Sequence, residues 1–323
     1  MPQPDRRPLD TAALNTFVTL SESDSLTDAA HRLGVSQSAI SQSLKQLETH
    51  TGVTLVVRRT TPLQLTPAGE VLRKHAASIL GDLRRLNTTV REAAQQGVVQ
   101  CRVGLVTSCS EVFGSKLITV LKEKAERLSL KSGLTPQLIE AFLNREIDIL
   151  ISDDPLTGEE GLDRLKVFRD PMVLAYSPRL LPEKEASLER LAEHSPMIKY
   201  SRSTNIGIYS EVVLRRMHIQ ANIRYETDDT HTLMNFVRDG HGWAVLSALC
   251  LAQTFYNLDR IKVLELDKSK HSRSIYLIAR KGELGSIPTQ INEALQGLFF
   301  ENICPQLIGN YNWMTPGIFS PEH

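Results

Sequence analysis

The chain has 323 residues, 41% of them hydrophobic and 23% charged, and its 37 basic residues balance its 37 acidic ones. This length suggests two or three compact units, and this apolar fraction excludes a wholly disordered chain. Bulk charge gives no argument for nucleic acid, even locally. Within residues 1–66, Arg6, Arg7, Arg32, Lys45, Arg58 and Arg59 are matched by Asp5, Asp10, Glu22, Asp24, Asp28 and Glu48, so any DNA contact must come from where the cations sit.

Cys101, Cys109, Cys250 and Cys304 show no metal-ligand spacing, and a reduced cytosolic protein is expected. The opening MPQPDRRPLD lacks an apolar signal core, and no apolar run is long enough to span a bilayer. The expectation is a cytoplasmic protein with no membrane partner.

In chain order, Leu14, Phe17 and Val18 mark a first helix. Ser25 and Asp28 then form an N-cap signal for a helix over Leu26–Leu33, whose small Ala29 and Ala30 allow close approach of a neighbour. Gly34 sits where a left-handed residue ends a helix without Cβ strain, Val35 is expected to point inward, and Ser36 caps a third helix. Ile40, Leu44 and Leu47 recur at helical spacing and define its buried face. The other face carries Ser36, Gln37, Ser38, Ser41, Gln42 and Lys45, groups suited to reading base edges in a major groove. A capped helix pair with a solvated polar face would show the same pattern. The flank LVVRRTTPLQLT favours DNA, since it reads as two short strands around Thr61–Pro62, a wing that carries Arg58 and Arg59 toward phosphate or the minor groove.

The ungapped run from Phe17 to Glu70 resembles the DNA-binding domain of LysR-type transcriptional regulators. The matching positions include Phe17, Ser25, Ala29, Ala30, Leu33, Ser36, Gln37, Ile40, Ser41, Leu47, Glu48, Gly52, Leu55, Arg58, Leu65, Thr66, Ala68 and Gly69. Some positions depart from the family pattern: Ser38 stands where Pro is common, Gln42 where Arg is frequent, and Thr60 and Thr61 replace frequent wing arginines. The resemblance implies a double-stranded DNA operator, control of promoters with RNA polymerase as a partner, and a small-molecule effector.

Thr66 caps and Pro67 opens a long helical stretch. In it Leu72, Ala76, Ile79, Leu83, Leu86, Val90 and Ala93 alternate in steps of four and three, a heptad seam. A helix packed on its own domain is one reading, and pairing between subunits is the other. The resemblance implies the second, giving a homodimer or, as is common in the family, a homotetramer.

From Cys101 onward the texture is α/β. CRVGLVT, IDILIS, MVLAYS, MIKYS, WAVLS and SIYLIA read as buried strands, with helices around 114–127, 136–145, 205–217, 230–239 and 286–300. The alternation predicts two doubly wound units with parallel sheets, crossed once near Arg169–Asp170–Pro171 and again within 259–274. The arrangement resembles the family's effector domain, two Rossmann-like subdomains with the fold of periplasmic solute-binding proteins. The expected fold class is therefore α/β, preceded by an all-α winged helix-turn-helix and a long linker helix. Its expected divisions are residues 1–66 (DNA binding), 67–97 (linker), 98–305 (effector) and 306–323 (tail). Within the effector domain, subdomain I takes residues 98–169 and 264–305, and subdomain II takes 170–263.

In such folds small ligands bind at strand C-termini, where Thr107, Ser108, Ser152, Asp153, Ser201, Arg202, Ser203, Thr227 and Asp228 fall. Arg202 for a carboxylate and Asp153 for an amine would suit an amino acid or other zwitterion. Enzyme chemistry finds no support: there is no G-x-S-x-G, Walker loop, H-E-x-x-H or Rossmann glycine fingerprint, so no catalytic residue, cofactor or metal is expected. Two alternatives remain. A solute-binding protein would share the α/β half, and a redox-sensing regulator would use Cys101 and Cys109.

Overall fold

The computed structural model describes residues 9–57, 62–94, 98–122, 125–254 and 260–321. They fall into two compact units that divide between Gln95 and Gln96. No helix among the described residues is long and apolar enough to cross a membrane.

The first unit comprises α1 (Thr11–Ser21), α2 (Leu26–Leu33), α3 (Gln37–Thr51), β1 (Val56–Val57), β2 (Gln64–Leu65) and α4 (Pro67–Ala93). Its core gathers Phe17, Leu20, Ala29, Ala30, Ile40, Leu47, Leu55 and Val56. Each large apolar side chain buried there contributes roughly 1.5–3 kcal/mol. The helix ends are fixed locally. Ser25 Oγ accepts the Asp28 amide at 3.1 Å, and Ser36 Oγ accepts the Ala39 amide at 3.2 Å. Gly34 takes φ +68°, and the amides of Gly34 and Val35 close back on the carbonyls of His31 and Ala30. Val35 departs from expectation: its backbone turns inward to make that bond, while its side chain stays 47% exposed.

Thr66 Oγ1 caps α4 by accepting the Gly69 amide at 3.1 Å. The heptad seam divides in two. Leu72 and Ala76 pack against Leu14 and Val18 in the helix's own unit, because α1 lies along the first turns of α4. Further along, Leu83 is half-buried, and Ile79, Leu86 and Val90 are 46%, 59% and 60% exposed. The side chain of Ala93 lies outside the described residues.

The second unit runs β3 (Val98–Val106), α5 (Thr107–Leu121), β4 (Ala125–Gly133), α6 (Thr135–Leu143), β5 (Ile149–Ser152), β6 (Leu162–Tyr176), α7 (Leu188–His194), β7 (Met197–Tyr200), α8 (Asn205–Arg216), β8 (Ile223–Thr227), α9 (Thr230–Arg238), β9 (Ala244–Ser247), α10 (Ala248–Gln253), β10 (Lys262–Glu265), β11 (Ser272–Arg280), α11 (Ile287–Leu298) and α12 (Cys304–Asn310). One lobe orders its strands β4-β3-β5-β11-β6, and the other is built on the far half of β6. There β6 pairs with β9 and β10, and β7 joins through the Met197–Trp243 bridge, with β8 outermost.

Three features differ from the sequence expectation. The sheets are mixed rather than parallel, because the chain leaves the first lobe along β6 and returns along β11, which pairs antiparallel to it. The crossing at Arg169–Asp170–Pro171 is no break; one 15-residue strand runs through it. The helix expected at 114–127 begins at Thr107, and the edge strand β4 follows it. Leu128 and Leu130 are its only large apolar residues, set among charged and small ones, so its sequence carries little strand signal.

Residues 306–323 are no free tail over their described part. Leu307, Met314 and Phe319 are buried, and Phe319 meets Phe299 edge-on at 5.4 Å, itself stacked on Phe168 at 4.0 Å.

At Gly69 the backbone of the wing's base approaches closely: a Cβ there would stand 2.1 Å from the Leu55 carbonyl oxygen. Gly69→Ala is expected to destabilise the helix-turn-helix unit by about 1–3 kcal/mol, read as a lowered melting transition by circular dichroism.

Candidate functional site

The face of α3 predicted to meet DNA is laid open. Ser36, Gln37, Ser38, Ser41, Gln42 and Lys45 are all exposed, while Ile40 and Leu47 on the opposite side are 1% and 3% exposed. Ser36 Oγ and Ser38 Oγ lie 2.9 Å apart, so the hydroxyl that caps the helix also positions the side chain of Ser38. The short strands β1 and β2 pair antiparallel, Val56 opposite Leu65 and Val57 opposite Gln64, as a wing requires. Glu48 joins the two elements, its carboxylate accepting the Leu55 amide at 2.8 Å. Arg58, Arg59, Thr60 and Thr61 lie outside the described residues.

In the second unit a cavity of about 60 Å³ opens between the lobes. Helices meet it with their N-terminal ends. Thr107 and Ser108 open α5, Thr135 opens α6, Thr204 and Asn205 begin α8, and Asp229 and Thr230 begin α9. Amides and dipoles at such ends favour negative charge. Thr204 and Asp229 cap their own helices, whereas the N-cap residues of α5 and α6, Val106 and Leu134, supply no side-chain cap.

Beneath the cavity lies a buried charge cluster. Arg273, only 4% exposed, donates to Asp170 at 2.9 Å, to Asp153 at 3.0 Å, to Ser108 Oγ at 3.0 Å and to Ser247 Oγ at 3.2 Å. Burial opposes the guanidinium charge, but Asp170 and Asp153 outweigh it and push the Arg273 pKa well above its ordinary value. The second oxygen of Asp170 accepts the Leu249 amide at 2.8 Å. The second oxygen of Asp153 accepts the Thr135 hydroxyl at 2.7 Å and the Asn205 amide group at 2.9 Å.

Of the expected effector residues, Thr107, Ser108, Asp153 and Asp228 line the cavity. Ser152, Ser201, Arg202, Ser203 and Thr227 do not. Ser152 is buried and bonded within its own loop, and the Thr227 hydroxyl accepts the Asp229 amide. Arg202 has an exposed side chain that forks onto Glu211 at 2.7 and 2.8 Å, so its carboxylate partner is internal. Arg202, and behind it Lys199, hold the Glu211 carboxyl down to about 2. Sequence reasoning missed Arg273, although Asp170 and Arg273 each sit on a predicted crossing. An acid on one hinge and a base on the other was the available signal.

The cysteines are all buried thiols. Burial first, then the Asp148 charge, pushes Cys101 up to about 12, and burial raises Cys109 as well. A peroxide sensor needs an accessible thiolate, which neither residue offers.

Two outcomes follow. Arg273→Met leaves two buried carboxylates without their cation and is expected to cost the second unit about 3–5 kcal/mol, whereas Arg202→Ala leaves its urea midpoint unchanged. In the native protein, dithionitrobenzoate is expected to leave Cys101 and Cys109 unmodified and to reach both in guanidinium; modification of either in the native state, located by mass spectrometry, would revive the redox reading.

Comparison with known proteins agrees with this geometry. Residues 11–70 match the family model described as bacterial regulatory helix-turn-helix protein, lysR family, and residues 95–290 match that of the LysR substrate binding domain. The chain is 29% identical over 235 residues to the HTH-type transcriptional regulator TdcA of Escherichia coli K12, covering 70% of this chain and 73% of TdcA. It is 28% identical over 251 residues to BudR of Raoultella terrigena, covering 74% and 86%. Full-length OxyR from Pseudomonas aeruginosa shares the fold at a TM-score of 0.70 and 20% identity, covering 90% of this chain and 96% of that one. Full-length CbnR in complex with its target DNA does so at 0.53 and 20%, covering 90% and 100%. With both domain models matched in order and the second alone spanning more than half its length, the chain belongs to the LysR family of DNA-binding transcription regulators.

Proposed function

We propose that this regulator reads a two-fold operator as a homodimer in the cytoplasm, working with RNA polymerase and answering to a small polar metabolite. The observation that carries the reading of DNA is the open polar face of α3, with six hydrogen-bonding residues exposed over a well-packed apolar back. Pairing is supported by Ile79, Leu86 and Val90, which leave an apolar stripe exposed at heptad spacing on a 27-residue helix. Two copies of the unit would then present two reading helices to successive major grooves.

For the effector, the uncapped starts of α5 and α6 favour an anionic group, and the exposed carboxylates of Asp228 and Asp229 at the rim favour a cationic one. A small zwitterion such as an amino acid satisfies both. Its carboxylate is assigned to helix N-termini rather than to Arg202. A cavity of about 60 Å³ is well below the roughly 300 Å³ of common ligand sites, so binding of such a molecule entails movement of the lobes.

Gel retardation with the segment upstream of the protein's own gene tests the reading. Gln37→Ala is expected to weaken binding by about 1–3 kcal/mol, roughly fivefold to 150-fold in affinity. With few cations on the reading face, fewer than about six ions should be released in a salt titration. Footprints repeated with a panel of amino acids should change with one of them and stay fixed with uncharged aromatics.

A further inference from the structure

The Asp153 carboxylate reaches across the cleft from a buried position. It leaves the first lobe just after β5, yet one oxygen takes the Asn205 side-chain amide at the start of α8 in the second lobe, at 2.9 Å. The same oxygen takes the hydroxyl of Thr135, the first residue of α6, at 2.7 Å, and the other takes Arg273 at 3.0 Å. α6 is nine residues long, and its own cap residue, Leu134, supplies no side-chain bond. Asp153 is 3% exposed and lines the cavity. A carboxylate held by a guanidinium, a hydroxyl and an amide N–H, at the starts of two helices, has the surroundings of a bound carboxylate ligand.

We propose that Asp153 is a tethered occupant of a carboxylate subsite, and that by filling it the protein holds its two lobes closed while no effector is bound. This rests on the cleft being the effector site. An effector bearing a carboxylate competes with Asp153 for Asn205 and Thr135, so its arrival exchanges an internal contact between lobes for an external one. The small cavity agrees with self-occupancy, since the space a ligand carboxylate would fill already holds one. Charge balance makes the exchange feasible. Arg273 faces both Asp153 and Asp170, so withdrawal of Asp153 leaves the cation still paired with one carboxylate. The arrangement also sets a preference: a ligand that presents only an ammonium group gains nothing at this position and leaves the latch shut.

Chemical rescue tests the proposal on the full chain without DNA or effector. Asp153→Ala should lower the melting temperature, and formate should restore it in a saturable, concentration-dependent way that chloride at equal ionic strength does not reproduce. Wild-type protein should not respond to formate. If formate does no more than chloride for Asp153→Ala, or stabilises the wild type equally, the proposal is overturned. Should Asp153→Ala fail to fold, Asn205→Ala serves instead, because it removes the contact that Asp153 makes with the second lobe and leaves Asp153 with Thr135 and Arg273. Hydrogen exchange in the first turn of α8 and in the loop after β5 should then rise at least tenfold over wild type; unchanged exchange at both places overturns the proposal. Because no metabolite enters either measurement, a cleft that binds none of the amino acids leaves these results standing. A failed rescue, equally, leaves the amino-acid footprints to be judged alone.

Discussion

The second unit depends on one buried cation. Arg273 lies at the start of the returning crossing strand and bonds Asp170 on the outgoing one, Asp153 and Ser108 in the first lobe, and Ser247 where α10 begins in the second. Desolvating a guanidinium costs several kcal/mol, which the two carboxylates and two hydroxyls together offset. In the closed cleft the same cation therefore orders partners from both lobes. Two lobes whose apolar core is continuous also share one polar centre, placed directly under the cavity that the helix N-termini surround.

In the first unit the governing constraint is close backbone approach. Glu48 holds the Leu55 amide, Thr66 holds the Gly69 amide, and Gly69 leaves no room for a Cβ beside the Leu55 carbonyl. The end of the reading helix, the base of the wing and the start of the long helix thus meet within a few residues. The exposed face of α3 can be almost wholly polar because Ile40 and Leu47 on its buried face, together with these contacts, hold the helix in place.

The first unit was largely legible in the sequence, because its signals are local. Ser25, Gly34, Ser36 and Thr66 each fix a helix end within four residues of themselves, bonds that follow from residue type and spacing, although the Thr66 hydroxyl also donates to the more distant Thr54 carbonyl. The exception, Val35, shows the limit of apolar pattern reading: a residue after a left-handed glycine has its direction set by the turn and not by its hydrophobicity. In the α/β half the apolar strands were readable and the polar edge strand β4 was not. The cleft was half legible. Strand ends located Thr107, Ser108, Asp153 and Asp228, but Arg273 bonds residues more than a hundred positions away, such as Asp153 and Asp170. Arg202 misled because a neighbouring helix supplies the carboxylate it was expected to find in a ligand.

The two crossings between the lobes are mechanically unlike. The outgoing one is β6, an unbroken strand of 15 residues paired on both sides of Pro171. The returning one contains Asp267, Lys268 and Ser269 in succession with φ of +41°, +52° and +58°, a left-handed kink in side chains that seldom adopt it. The two connections between the lobes therefore differ in kind: one is extended and paired along its whole length, the other is turned by three left-handed residues whose side chains make that conformation costly. The backbone strain of the lobe junction is thus gathered on the returning side alone.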